Sequence, residues 1–258
     1  MTIHRSAVLA GALAITVAGI CLRLGFWQLD RLEQRRGFND AYAAALELPP
    51  VELGRGGLAL LREEPDELLF RRASARGSFE HGDEFLLRGR SHEGRPGVHL
   101  VTPFRLEGTS EVLLVNRGWL PSPDAATADP RPYRQVEPRV VTGVLQAVPE
   151  APDQASPVTI RLEGETIASF RRLDGRTLAN GYGRNFSPLY LQETSQLAIS
   201  QGLPIAVPLP TFDEGSHLGY AIQWFSFAAI AIVGFGLMVH LRVRRDRRPQ
   251  ASPPAYRS

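Results

Sequence analysis

One histidine stands where ligand chemistry and a membrane boundary coincide. His217 leads into an apolar run, and Tyr220, Gln223 and Trp224 follow three, six and seven positions later. That spacing puts His217, Tyr220 and Trp224 on one face of a helix. An imidazole above an aromatic wall at the lipid edge can serve as an axial ligand to haem iron. The same spacing suits an interfacial histidine bonded to headgroups or water, and both readings stand. No second ligand is evident, because His240 lies 23 residues further along, at the far end of the same helix.

A second cluster lies at the other end of the chain. Trp27 and Gln28 close an apolar run in the order Gly25-Phe26-Trp27-Gln28-Leu29-Asp30-Arg31. Trp-Gln on one helix can then face Gln-Trp on the other, as an aromatic belt with an interhelical hydrogen bond. Ser6, Ala10, Ala14 and Ala18 form a small-residue stripe at four-residue spacing, which lets another helix approach closely. Elsewhere the signals are weaker. Asn116-Arg117-Gly118-Trp119-Leu120-Pro121 reads as a strand exit, with Gly118 turning the chain and Trp119 packing back. Arg117 could also reach a carboxylate or a propionate. His81, His92 and His99 have carboxylates nearby, but their spacing matches no recognised ligand pattern, and scattered surface histidines explain them better than a metal site. The chain contains no G-x-S-x-G, no phosphate-binding glycine loop and no H-E-x-x-H, so it is not expected to be an enzyme.

These residues need elements to hold them. Residues 7–27 and 219–241 are each apolar enough, and at ~1.5 Å per helical residue long enough, to cross a ~30 Å hydrocarbon core. An even number of crossings leaves both termini on one side and the middle of the chain on the other. The tail carries Arg242, Arg244, Arg245, Arg247 and Arg248 against Asp246, a strong cytoplasmic signal. Arg31, Arg35 and Arg36 after the first span argue the other way, but long loops translocate largely regardless of charge. Cleavage as a signal peptide, or lipidation at Cys21, is less well supported than an uncleaved anchor. The expected division is a transmembrane helix over 1–29, a periplasmic domain over 30–216, a transmembrane helix over 217–241 and a basic cytoplasmic tail over 242–258. A bacterial inner membrane is the expected setting.

Charge and cysteine content narrow the function classes. All 29 basic residues are arginine, and 21 of them lie between Asp30 and Leu218 with 26 carboxylates, leaving that region at −5. No net positive field belongs to the middle domain, so nucleic acid is not an expected partner. Cys21 is the sole cysteine, which excludes intrachain disulfides and cysteine-rich metal sites.

The stretch 29–48 continues the first span as a charged helix until Pro49-Pro50 stops it. Strand patterns follow at 68–78, 84–90, 98–106, 111–116 and 139–148, with weaker ones at 186–192 and 205–209 and a short helix at 193–201. The expected fold is two transmembrane helices flanking a mainly β (α+β) extracytoplasmic domain, built as an antiparallel sheet or small barrel.

Three segments in order resemble the surfeit-locus-1 family of cytochrome c oxidase assembly factors. They are residues 25–31 (Gly-x-Trp-Gln-x-x-Arg), 115–121 (Val-Asn-Arg-Gly-Trp-Leu-Pro) and 217–224 (His-Leu-x-Tyr-Ala-x-Gln-Trp). Arg95-Pro96-Gly97 and Thr102-Pro103 are similar to further family elements. The resemblance implies a membrane-anchored factor that binds haem a and aids its insertion into oxidase subunit I, alongside other assembly factors at the lipid bilayer. It would make His217 the axial ligand, with Tyr220, Gln223, Trp224, Trp27, Gln28 and Arg117 as the remaining cofactor contacts. A haem-independent scaffold for assembly intermediates is the alternative. Ser216, Gln34 and Arg35 depart from residues common in the family and bear on haem binding more than on fold.

Overall fold

A computed structural model describes residues 2–149, 157–183, 186–194 and 202–246. The chain forms two compact units, one of residues 1–40 with 212–258 and the other of residues 41–211. The expected helix at 193–201 lies mostly outside the described residues, and Glu193 itself closes a strand.

The first unit is a pair of long helices, α1 (Thr2–Glu47, whose last residues belong to the second unit) and α5 (His217–Asp246). Both are long and apolar enough to cross a membrane. The helices run antiparallel: Gly11 lies under Phe235, and Gly25 under Phe225. Their seam is more regular than the four-residue stripe read from the sequence. On α1, positions 11, 14, 18, 21, 25, 28, 32, 35 and 39 are buried or half-buried; on α5 the matching positions are 217, 221, 224, 228, 231, 235 and 238. Alternating steps of three and four average 3.5 residues, the repeat of a left-handed helix pair. Glycine and alanine fill the narrow places. A Cβ on Gly25 would come within 2.6 Å of the Phe225 ring, which also meets Phe26 edge-on at 5.3 Å.

Among the described residues the second unit is a mixed sheet of nine strands. They are β1 (Val51–Leu53), β2 (Arg72–Phe79), β3 (Phe85–His92), β4 (Arg95–Leu106), β5 (Val112–Pro121), β6 (Arg139–Ala147), β7 (Val158–Leu162), β8 (Glu165–Phe170) and β9 (Leu189–Glu193). Short helices α2 (Gly57–Glu63), α3 (Pro65–Leu68) and α4 (Gly175–Tyr182) complete it. The order is β1-β2-β6-β9-β5-β4-β3-β8-β7, and the far end of β2 also pairs with β4. The sheet therefore curls on itself but keeps open edges at β1 and β7, so it is not a closed barrel.

Three pairings, β1–β2, β3–β8 and β5–β9, are parallel, which corrects the expected antiparallel sheet. Long connections bring the later strands back beside earlier ones, and such returns can be parallel where tight hairpins cannot. Strand β2 starts at Arg72, because Pro65 opens α3 and takes Leu68 into a helical turn. Residues 205–209 contribute only a single bridge, Ile205 to Trp119. The β7–β8 hairpin turns at Glu163-Gly164, where Gly164 adopts φ +84°.

Strand β5 is central and buried on both faces. Leu113 and Val115 enter one core cluster with Phe79, Phe104 and Leu191; Leu114 enters another with Phe85 and Phe170; Leu120 enters a third with Leu86 and Leu100. The segment read as a strand exit, Asn116 to Pro121, is thus the second half of this strand, which continues through Gly118 and ends at Pro121.

Candidate functional site

His217 opens α5 and is half-buried against α1. Its Nδ1 lies 2.9 Å from Oε1 of Gln28. A carboxamide oxygen can only accept, so in the neutral imidazole this contact goes with the ring proton on Nδ1 and a lone pair on Nε2. That is the tautomer in which imidazole ligates a metal through Nε2. Beside the ring is Gly215 at φ +68°, where an added Cβ would lie 3.6 Å from Nε2. Glycine there satisfies the positive φ and keeps space open at the nitrogen.

The other sequence candidates on the helices divide. Trp224 is half-buried, packed on Ala18, Cys21 and Ala228 and edge-on to Phe227 at 5.9 Å. Tyr220 is 50% exposed, and its backbone N–H donates to the Ser216 carbonyl at 3.1 Å. Gln223 is also exposed. The expected pairing of Trp-Gln with Gln-Trp is therefore replaced by Gln28 with His217. Trp27 points outward, 49% exposed, with the Arg31 guanidinium 5.6 Å from its ring centroid. With Ile20, Arg23, Leu24, Phe26 and Asp30 it lines a mainly apolar recess of about 680 Å³ that does not include His217.

Arg117 belongs to the second unit, and a backbone irregularity sets its position. Leu100 pairs with Gly118 and Val101 with Asn116, so Arg117 is the extra residue of a β-bulge. Bulges re-aim side chains out of the regular alternation. Asn116 Oδ1 accepts from the Gly118 N–H at 3.2 Å, and Gly118 sits at φ +127° with Ile205 O 2.3 Å from where its Cβ would be. Trp119 and Ile205 exchange backbone hydrogen bonds of 2.7 and 2.8 Å. Trp119 in turn covers Gly97 and carries Arg95 5.4 Å from its ring centroid, so the Arg-Pro-Gly and Asn-Arg-Gly-Trp segments pack against each other.

The Arg117 side chain is enclosed, only 4% of the residue being exposed. Its guanidinium lies 4.6 Å from the Phe79 ring centroid, and Nη2 donates to the Tyr133 carbonyl. Nη1 is buried without a hydrogen-bond partner. Burial pushes the Arg117 pKa down; Glu193 and Glu84 counter this and Arg139 adds to it. Those carboxylates are already engaged. Arg134 holds Glu84 at 2.6 Å and Arg139 holds Glu193 at 2.9 Å, while burial raises the Glu193 pKa. An unmet buried donor costs about 1–3 kcal/mol, more for a charged group.

The three histidines do not converge. His81 contacts Glu84 at 3.3 Å and the Gln135 backbone at 2.9 Å. His92 lies against Trp119 with ring centroids 5.3 Å apart, and His99 accepts from Asn116 at 3.3 Å. Among the described residues no group of three or more His, Cys, Asp or Glu is placed to hold a metal ion.

Comparison with known proteins agrees with the resemblance in the sequence. The pattern of the SURF1 family matches residues 15–229. A SURF1-like protein of Monosiga brevicollis is 27% identical over 253 residues, spanning 93% of this chain and 91% of its own length. An uncharacterized SURF1-like protein of Mycobacterium tuberculosis is 27% identical over 263 residues, spanning 94% of this chain and 88% of its own length. A SURF1-like protein of Rickettsia bellii is 25% identical over 253 residues, spanning 88% of this chain and 94% of its own length.

Proposed function

Since the chain belongs to the SURF1 family of oxidase assembly factors, we propose that it binds haem a through His217 and aids haem insertion into cytochrome c oxidase subunit I. The observation that carries this reading is the hydrogen bond from His217 Nδ1 to Gln28 Oε1, which leaves Nε2 free as a ligand. The residues present fit the group. Nε2 lies beside Gly215, and the helix pair carries aromatic surface further along its length through Phe26, Trp27 and Trp224. Haem supplies the iron that Nε2 would ligate; the chain supplies orientation, an apolar surround and partial shielding from water.

In this reading both termini lie in the cytoplasm and the β domain lies in the periplasm of a bacterial inner membrane. The five arginines between positions 242 and 248 support that orientation. The large, apolar haem a partitions into lipid, so a site at the outer membrane face limits its release into water. One imidazole ligand allows exchange more readily than two.

The test is to purify the protein from cells making haem a, compare wild type with His217→Ala, and record the haem spectrum. Loss of haem from the variant, with its helical content intact, is expected. Equal haem content in both removes His217 from the role. Co-purification of subunit I with a haem-free wild type would favour a scaffold.

A further inference from the structure

A second site lies wholly within the β domain, away from any residue of the haem reading above except Arg117. We propose that the cavity beside the β5 bulge binds a small monocarboxylate with an aliphatic body, held by the buried Arg117. The cavity measures about 560 Å³, a usual size for a small-molecule pocket. Arg117 forms one wall; Leu203, Pro204 and Ala206 form an apolar one; Gln135 and Arg139 complete the polar side.

The chemistry follows from what each polar group still has to offer. Arg117 has Nη2 occupied by the Tyr133 carbonyl and Nη1 buried with no partner. No carboxylate among the described residues forms an ion pair with it: Glu193 is taken by Arg139 and Glu84 by Arg134. Gln135 accepts from Arg139 through its amide oxygen, which leaves its N–H groups as donors. The cavity therefore combines a cation and N–H donors with the hydrocarbon of Leu203, Pro204 and Ala206, beside the carboxylates of Glu137 and Glu193. Nη1 has no exposed surface in this structure, so the guanidinium must turn toward the cavity; a carboxylate oxygen then meets the unmet donor and the unpaired charge together, and the aliphatic body covers Leu203 and Pro204. A phosphate is less well suited, because Glu137 and Glu193 on the same wall oppose a dianion. The bulge supplies the placement: a regular β5 would have no extra residue at 117, and Gly118 at φ +127° lets the strand pass under Ile205.

The experiment uses the full chain in lipid nanodiscs, labelled with ¹⁵N-arginine, titrated with butyrate and separately with butyramide at pH 7. These probes have similar size and differ in charge. The expected result is a saturable shift of one guanidinium resonance with butyrate in the millimolar range, and at least tenfold weaker binding of butyramide. The resonance is assigned by its loss in Arg117→Lys or, if that variant does not fold, by its proximity to the Phe79 ring protons together with its persistence in Arg139→Lys, since Arg139 lies over the same ring. Equal shifts from both probes, or no saturable shift from butyrate, would overturn the proposal. Because neither probe carries iron, failure here leaves the His217 reading intact, and loss of haem binding in His217→Ala leaves this one intact.

Discussion

Replacing Gln28 with leucine keeps the bulk at the helix seam and removes the oxygen that accepts the His217 Nδ1 proton at 2.9 Å. Two effects of different size follow. Hydrogen bonds between membrane helices contribute about 0.6 kcal/mol on average and up to roughly 2 kcal/mol, so the helix pair loses no more than that. The ligand loses its fixed tautomer and ring orientation. Removing such an outer-shell partner typically weakens metal affinity by about 10–100-fold, or roughly 1.4–2.7 kcal/mol. The assay is a haem titration followed by absorbance on Gln28→Leu and wild type in nanodiscs, with ¹⁵N-histidine spectra of the same samples. Wild type is expected to show His217 protonated on Nδ1, and the variant to lose that signature and bind haem about 10–100-fold more weakly. A variant with wild-type affinity and unchanged ring-nitrogen signals would refute the reasoning. A variant that loses only helix-pair stability would reduce Gln28 to a packing bond.

Three further outcomes concern the β domain. Gly118→Ala puts a Cβ within 2.3 Å of the Ile205 carbonyl at φ +127°, which the backbone must move to relieve; a loss of about 2–4 kcal/mol is expected, read as a lower urea midpoint. Tyr42→Phe removes the acceptor for the Gln146 amide at 3.0 Å but keeps the stack on Phe70 at 4.5 Å, so the expected loss is only about 1 kcal/mol, against roughly 3–5 kcal/mol for Tyr42→Ala. His99 is held neutral, its pKa pushed from 6.5 down to about 4 by burial and then by the Arg90 charge. Between those values the unfolded chain binds more protons than the native one, so stability falls as pH drops through the window, by about 3 kcal/mol in all. His99→Gln should flatten that part of the acid-unfolding curve, and identical curves for variant and wild type would count against the assignment.

Membrane-spanning length and strand-forming runs were legible in the chain because each depends on local composition. The helix seam was harder to read. Inside a bilayer every position is apolar, so hydrophobic period carries no signal and only small residues mark the contact. Ala10, Ala14 and Ala18 are buried or half-buried as the stripe implies, but Gly11, Cys21 and Gly25 belong to the seam as well. The parallel pairings depend on long-range returns that leave no local trace, whereas the missed β7–β8 hairpin is a local pairing across Glu163-Gly164. Asn116-Arg117-Gly118 looked like a turn because its residue types favour turns. Tertiary pairing with Leu100 and Val101 absorbs it as a bulge instead. Gln28 was visible as a residue, but its partner was not, since His217 lies 189 positions away.

The identity of that partner bears on how a carrier could release its cargo. A carboxylate on Nδ1–H would make the imidazole a stronger donor and hold iron more firmly, as carboxylate–histidine pairs do in permanent metal sites. A neutral carboxamide fixes the same tautomer with less added basicity. His217 is also only half-buried, so water or an acceptor protein can reach the ligand bond. A single, modestly basic and partly open ligand favours exchange over storage, which is what the proposed transfer to subunit I requires. Gln28→Glu separates these roles: its carboxylate favours the protonated imidazolium when no metal is bound and strengthens the ligand once iron is held. The expected variant therefore loads haem more slowly at neutral pH and surrenders it more slowly to apo-myoglobin. Faster surrender than wild type would show that the carboxamide tightens, rather than relaxes, the grip on iron.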